Sequence, residues 1–198
     1  MDKYLNENPV VSMKNISKSF GDKKVLSNVN FDLHKSEVHA LLGENGAGKT
    51  TLMNILYGMF PPSEGSININ GKTYTNMTPK MAIDAGIGMV HQHFMLIEHL
   101  TVTENIILGY EEDTGLFLDR KTAREKIEKL SEEYGLMIDP NAKVEDISVG
   151  QQQRVEILKA LYRGADILIF DEPTAVLTPQ EINEFIAVSY THLRAHET

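Results

Sequence analysis

The chain contains no cysteine, which excludes disulfides and thiolate metal sites from all 198 residues. It has no excess of basic charge either: 19 Lys and Arg stand against 28 Asp and Glu, a net charge of −9. A general nucleic-acid binder would present a basic surface, so no nucleic-acid partner is expected. No run approaches the ~18 apolar residues that cross a bilayer. Residues 1–7 lack the apolar core of a secretory signal, and a cytosolic chain is expected. Internal repeats, low-complexity tracts and Pro-rich linkers are also missing. What is present, 41% hydrophobic residues, can bury a sizeable core in one elaborated domain.

The first informative run is Gly43-Glu44-Asn45-Gly46-Ala47-Gly48-Lys49-Thr50. Residues 38–42 before it read as a short buried strand, and residues 51–57 after it read as a helix that Gly58 ends. Glycines in such a turn let successive N–H groups point inward, and the helix N-terminus adds its positive end. Lys49 supplies a mobile charge for β- and γ-phosphates, and the Thr50 hydroxyl is placed for Mg²⁺. The phosphate-binding set is Gly43 through Thr51. This is a P-loop, or Walker A, arrangement; a Gly-rich turn before a helix is the bland alternative.

A second strand is expected over residues 166–170, ending in Asp171-Glu172. Asp171 sits where open α/β sheets bind ligands, so its carboxylate can hold Mg²⁺ through water. Glu172 points elsewhere and can orient or deprotonate an attacking water. Two carboxylates after a strand would otherwise be an ordinary solvated turn; the P-loop upstream favours chemistry. Between the motifs, Ser148-Val149-Gly150-Gln151 has the capping-box pattern, with a helix expected over residues 151–161 and Ser148 at its N-terminus. That end is a second anion site or simply a cap.

These motifs, in this order, resemble the nucleotide-binding subunit of ABC transporters. Gln152-Gln153-Arg154-Val155-Glu156 continues the signature helix, and Ile147 and Val149 depart from the usual Leu-Ser-Gly-Gly-Gln. The resemblance implies ATP and Mg²⁺ as ligands and a second nucleotide-binding domain paired head to tail. Ser148, Gly150 and Gln151 of one domain would then close over ATP held by the other's Walker A. It implies that Gln92, in Val90-His91-Gln92-His93-Phe94 after an apolar strand at residues 87–90, is the Q-loop residue. That residue reaches Mg²⁺ and water and touches the membrane subunits. Glu172, Gln92 and Lys49 are thus the catalytic expectation, and Thr50, Gln92 and Asp171 the metal set. Phe20 occupies the place of the adenine-stacking aromatic, with core packing as its alternative. Ala175-Val176-Leu177-Thr178 occupies the D-loop, where Thr178 replaces the usual Asp. His91 and His93 lack a third ligand and are not expected to bind metal.

Finer similarity lies with the first ATP-binding half of bacterial importers for simple sugars and nucleosides. Asp171-Glu172-Pro173-Thr174-Ala175-Val176-Leu177-Thr178-Pro179 and Gln151-Gln152-Gln153-Arg154-Val155-Glu156-Ile157-Leu158-Lys159 carry it. The resemblance implies an ATPase at the cytoplasmic face of the bacterial membrane, working with polytopic permease subunits and an extracytoplasmic substrate-binding protein. The rival reading is an ATP-dependent dimerisation switch or soluble ABC protein with little turnover. The match covers about residues 9–187. From about Val188 it fails, residues 188–198 are expected to be a non-native tail, and His192 is not expected to be the family's switch histidine.

The expected fold class is α/β: an ABC-type P-loop NTPase core, an antiparallel β portion and a helical insertion at about residues 93–163 that bears the signature. Val29, Phe31 and Leu33 alternate, as do Ile67 and Ile69 before Asn70-Gly71, a strong hairpin signal. Thr78-Pro79 should start a helix ending at Gly86, Thr101-x-x-Glu104 should cap one through Ile107, and Asp119 should start one that Gly135 stops. Arg120, Lys121, Arg124, Glu125, Lys126, Glu128 and Lys129 read as a solvated face of that last helix.

Overall fold

A computed structural model describes residues 8–91, 94–109 and 120–171. The chain divides into two compact units, one running to Ile87 and the other beginning at Gly88.

The first unit is built on a four-stranded antiparallel sheet in the order β2-β1-β3-β4. β1 (Val11–Phe20) and β2 (Lys23–Leu33) form one hairpin, and β3 (Glu64–Ile69) and β4 (Lys72–Tyr74) form another. β1 is central, with Val11 opposite both Leu33 and Ile69. The alternation expected in β2 and β3 is present: Val29, Phe31 and Leu33 are half-buried between exposed neighbours, while Ile67 and Ile69 are buried. Asn70 and Gly71 join β3 to β4 with φ of 49° and 82°. Two consecutive positive φ values match the right-handed twist of the flanking strands, and this pair tolerates them. β1 was not anticipated by alternation, because its register shifts between Met13 and Ile16, where Asn15 has φ 55°. The bulge puts Lys14 and Asn15 side by side in solvent between buried pairs.

Two helices complete this unit. α1 (Lys49–Tyr57) buries Leu52, Ile55 and Leu56 and is closed by Gly58. α2 (Pro79–Asp84) starts with Thr78, whose hydroxyl accepts the Met81 N–H at 3.3 Å, and with Pro79 where the missing N–H is harmless.

One expectation fails. Residues 38–42 are not a strand; Val38 is 57% and Leu42 92% exposed. An apolar run becomes a buried strand only where neighbours supply a ladder and covering layers. Among the described residues no strand pairs with this segment.

The second unit contains all but the first residue of β5 (Ile87–Val90), which pairs with β6 (Ile167–Phe170) in a two-stranded sheet, and helices α3 (Val102–Ile107), α4 (Arg120–Glu133) and α5 (Val149–Tyr162). Val90, Val102, Ile106, Ile127, Leu136, Val155 and Leu158 belong to its core. α4 buries Ala123 and Ile127 at helical spacing, and its charged residues form the solvated face expected, with Arg124 to Glu128 at 3.4 Å. Such exposed pairs contribute little. α3 carries the expected capping box: Glu104 N–H donates to Thr101 Oγ1 at 3.2 Å, and Thr101 N–H donates to Glu104 Oε2 at 2.9 Å. Asp119 lies outside the described residues.

Candidate functional site

The sequence-predicted residues fall in both units, and each group has its own geometry. In the first unit, α1 begins at Lys49 behind Gly48, which has φ 92° and a left-handed conformation. A Cβ there would meet the tip of Leu26 at 2.6 Å and Val25 O at 3.3 Å; a leucine tip can shift, and it is the left-handed backbone that favours glycine. No side chain caps α1, and its first turn contains no acidic residue. Helix N-termini present N–H groups that the helix's own bonds do not use, and the first turn of α1 carries no acidic side chain of its own. Residues 43–47 are exposed, the turn being closed by Ala47 N–H to Glu44 O at 3.2 Å. Lys49 Nζ folds back, donating to Gly43 O at 2.7 Å and Glu44 O at 3.0 Å. A cation held beside the N-terminus of a helix fits a polyphosphate. Thr50 and Thr51 stand in the first turn of the helix.

Phe20 ends β1 with 48% exposure. Its ring meets Phe60 edge-on at 5.2 Å, and Lys18 Nζ lies 5.2 Å from one centroid and 5.0 Å from the other. Lys18 Nζ also donates to Pro61 O at 2.6 Å. The ring is therefore not a core residue, and Phe60 and Lys18 are companions that linear spacing did not reveal.

In the second unit, Ser148 caps α5 as expected. Its hydroxyl oxygen accepts the Gln151 N–H at 3.2 Å, while Gln151 Oε1 accepts the Ser148 N–H at 3.0 Å. Gln152 N–H bonds Ser148 O at 2.9 Å. The cap thus satisfies the inner amides and leaves those of Val149 and Gly150 as the ones without an intrahelical acceptor. Ser148 and Val149 are exposed, and the Ser148 O–H hydrogen is not consumed by either cap bond. This end can donate to an anion without breaking its own cap.

Asp171 follows β6 and is half-buried; its N–H donates to Val90 O at 3.2 Å. Gln92 and Glu172 lie outside the described residues, as do His93, Thr178 and the tail with His192. Among the described residues no group of three or more His, Cys, Asp or Glu could hold a metal ion.

A P-loop opening a helix, an antiparallel β portion and a capped signature helix define a nucleotide-binding cassette. The chain belongs to the ABC transporter family, whose profile matches residues 26–175. It is 62% identical over 179 residues to the nucleoside import ATP-binding protein NupA of Lactococcus lactis subsp. cremoris. It is 56% identical over 179 residues to the guanosine import ATP-binding protein NupO of Bacillus subtilis. Each alignment covers 90% of this chain but 35% of the relative, so the chain spans about a third of their length. Among solved structures, the ADP conformation of MJ1267, an ATP-binding cassette of an ABC transporter, superposes with a TM-score of 0.84 at 26% identity, covering 96% of this chain and 78% of that one. The dimeric structure of MJ0796, a bacterial ABC transporter cassette, gives 0.78 at 27% identity, covering 94% and 84%. The fold is the ABC-type P-loop NTPase fold.

Proposed function

We propose that this chain is the ATP-binding and hydrolysing cassette of an importer that takes up nucleosides or simple sugars. The observation that carries the ATP reading is Lys49 folded over the glycine loop at the N-terminus of α1, its Nζ donating to Gly43 O and Glu44 O. The nucleoside reading is supported by what NupA and NupO are described as importing.

In this reading the amides of residues 43–51 and Lys49 hold the phosphates, and Phe20 stacks on the base. Thr50 supplies a hydroxyl, and Asp171 and Gln92 oxygen ligands, for Mg²⁺. Bound Mg²⁺ neutralises charge on the β- and γ-phosphates. Glu172 and Gln92 arrange the attacking water. Ser148, Gly150 and Gln151 donate to the ATP of a second nucleotide-binding domain paired head to tail, as the pairing of MJ0796 supports. The cassette spans about residues 9–187, with a helical insertion at about 93–163. It works at the cytoplasmic face of the membrane through polytopic permease subunits and an extracytoplasmic binding protein. Among the described residues no helix is long and apolar enough to cross a membrane.

The test uses the full-length protein assembled with its permease in liposomes. Wild type should couple ATP hydrolysis to nucleoside uptake. Glu172→Gln should keep ATP affinity, lose turnover and accumulate the closed, ATP-bound pair. Full turnover in Glu172→Gln would show that this carboxylate is dispensable; tight ATP binding with neither turnover nor uptake in wild type would establish the regulatory switch instead.

A further inference from the structure

Glu156 is a carboxylate buried to 7% exposure in the middle of α5, and its Oε1 accepts the backbone N–H of Met95, 61 residues away, at 2.8 Å. Lys159, three residues further along the same helix and so on the same face, donates from Nζ to Met95 O at 3.4 Å. Both backbone groups of one residue are thus held by two side chains of opposite charge from one helix. The Met95 side chain itself is 64% exposed. A buried carboxylate is costly unless charge-assisted bonds offset it, and a neutral glutamine could accept the same N–H with less desolvation. A charge there implies a demand for strength and direction beyond satisfying one amide.

The place of the clamp gives that demand a reason. Met95 follows Gln92 by three residues in sequence. Downstream, the same stretch is tied to the approach to α5: Val144 N–H donates to Leu100 O at 3.1 Å, and Glu145 N–H donates to Glu98 O at 3.0 Å. His99 Nδ1 lies 3.0 Å from Glu145 Oε2. Residues 94–101 are therefore anchored at one end to the body of α5 and at the other to the segment that delivers Ser148. We propose that Glu156 is a positioning residue that makes the segment after Gln92 move with the signature helix, so that a displacement of either is felt by the other. This rests on the ATPase reading given above.

The experiment compares wild type, Glu156→Gln, Glu156→Ala and Lys159→Ala in the full-length protein assembled with its permease. It reads amide exchange at Met95, ATP affinity, and kcat and KM of transport-coupled hydrolysis. Glu156→Ala should lower protection at Met95 and kcat by about tenfold each, within the usual span of coupling between sites, with ATP affinity and KM unchanged. Glu156→Gln, which keeps an acceptor but not the charge, should recover only part of both, and Lys159→Ala should resemble it. If Met95 loses protection in Glu156→Ala while kcat stays at the wild-type value, the clamp only holds a loop together and the proposal falls. It falls equally if ATP affinity and kcat decline together and Glu156→Gln restores neither. Should Glu156→Ala fail to fold, Glu156→Gln and Lys159→Ala decide: full wild-type kcat in both overturns the coupling. Absence of ATP hydrolysis in wild type would instead sink the ATPase reading.

Discussion

The N–H of Asp171 reaches the carbonyl of Val90 at 3.2 Å, which joins the residue just after β6 to the last residue of β5. The two strands therefore finish at the same end of their sheet, with the backbone of Asp171 tied there. Carboxyl ends of strands are where open α/β sheets place ligands.

Asp171→Ala should preserve this bond, because the backbone N–H makes it, while removing the carboxylate. The expected outcome for the full-length protein is a loss of Mg²⁺-dependent turnover by roughly a hundredfold or more. ATP binding in the presence of a chelator should be unchanged, as calorimetry would report. Equal loss of binding with and without Mg²⁺ would mean that Asp171 serves the fold rather than the metal.

Lys49→Ala should weaken ATP binding by about 1.5–3 kcal/mol, the usual worth of a hydrogen bond to a charged group. An unchanged dissociation constant in a folded protein would remove phosphate binding from α1. Phe20→Ala should weaken ATP more than it weakens inorganic triphosphate, since a stacked ring contacts the base and not the phosphates.

Two glycines separate packing from backbone strain. At Gly88 a Cβ would meet Ala160 Cβ at 2.8 Å and Ala165 Cβ at 2.9 Å, so Gly88→Ala should cost about 1–3 kcal/mol by overpacking β5 against α5. At Gly71 nothing lies within 4 Å, but φ is +82°. Gly71→Ala should cost about 1–2 kcal/mol through its left-handed backbone alone, and Gly71→Asn should recover part of it. Thermal unfolding of the four proteins checks both claims.

Glu104 offers a pH test. Hydrogen bonds from the Thr101 backbone and then the Thr101 hydroxyl hold its carboxyl below the ordinary 4.5; burial opposes them and Arg120, 3.1 Å away, adds to them. A carboxyl depressed in the folded state contributes stability that is fully present above its unfolded value and lost as pH falls through its folded value. Glu104→Gln keeps an acceptor for the capping box but no titration. Wild type should be the more stable at neutral pH, and the gap in thermal midpoint should close as pH drops below 4.5. A gap independent of pH would show that the charge contributes nothing.

Local chemistry was the legible part of this chain. Thr78-Pro79, Thr101 with Glu104, Ser148 with Gln151 and Asn70-Gly71 each specify a conformation through atoms within four residues, and each appears where those atoms require it. Residues 38–42 misled for the opposite reason: an apolar run states a preference for burial but does not say which strand will sit beside it. β1 was hidden because its bulge at Asn15 breaks the two-residue period. Glu156 stood in plain view within the signature helix, but nothing in the run Gln151-Gln152-Gln153-Arg154-Val155-Glu156 names Met95 as its partner. The pairing of Phe20 with Phe60 is likewise a product of tertiary folding.

The buried side chain of Asn105, 1% exposed, accepts the Ile97 N–H at 2.7 Å and donates to Ile97 O at 3.0 Å and Thr101 O at 3.1 Å. One amide group thereby dictates the curvature of the connection from beneath, as a mould shapes a casting. The exposed side chains of that connection, Met95 and Ile97 among them, take no part in those bonds. Substitution at those exposed side chains should therefore leave the contour of the connection intact, because the bonds that set it are made from the buried side.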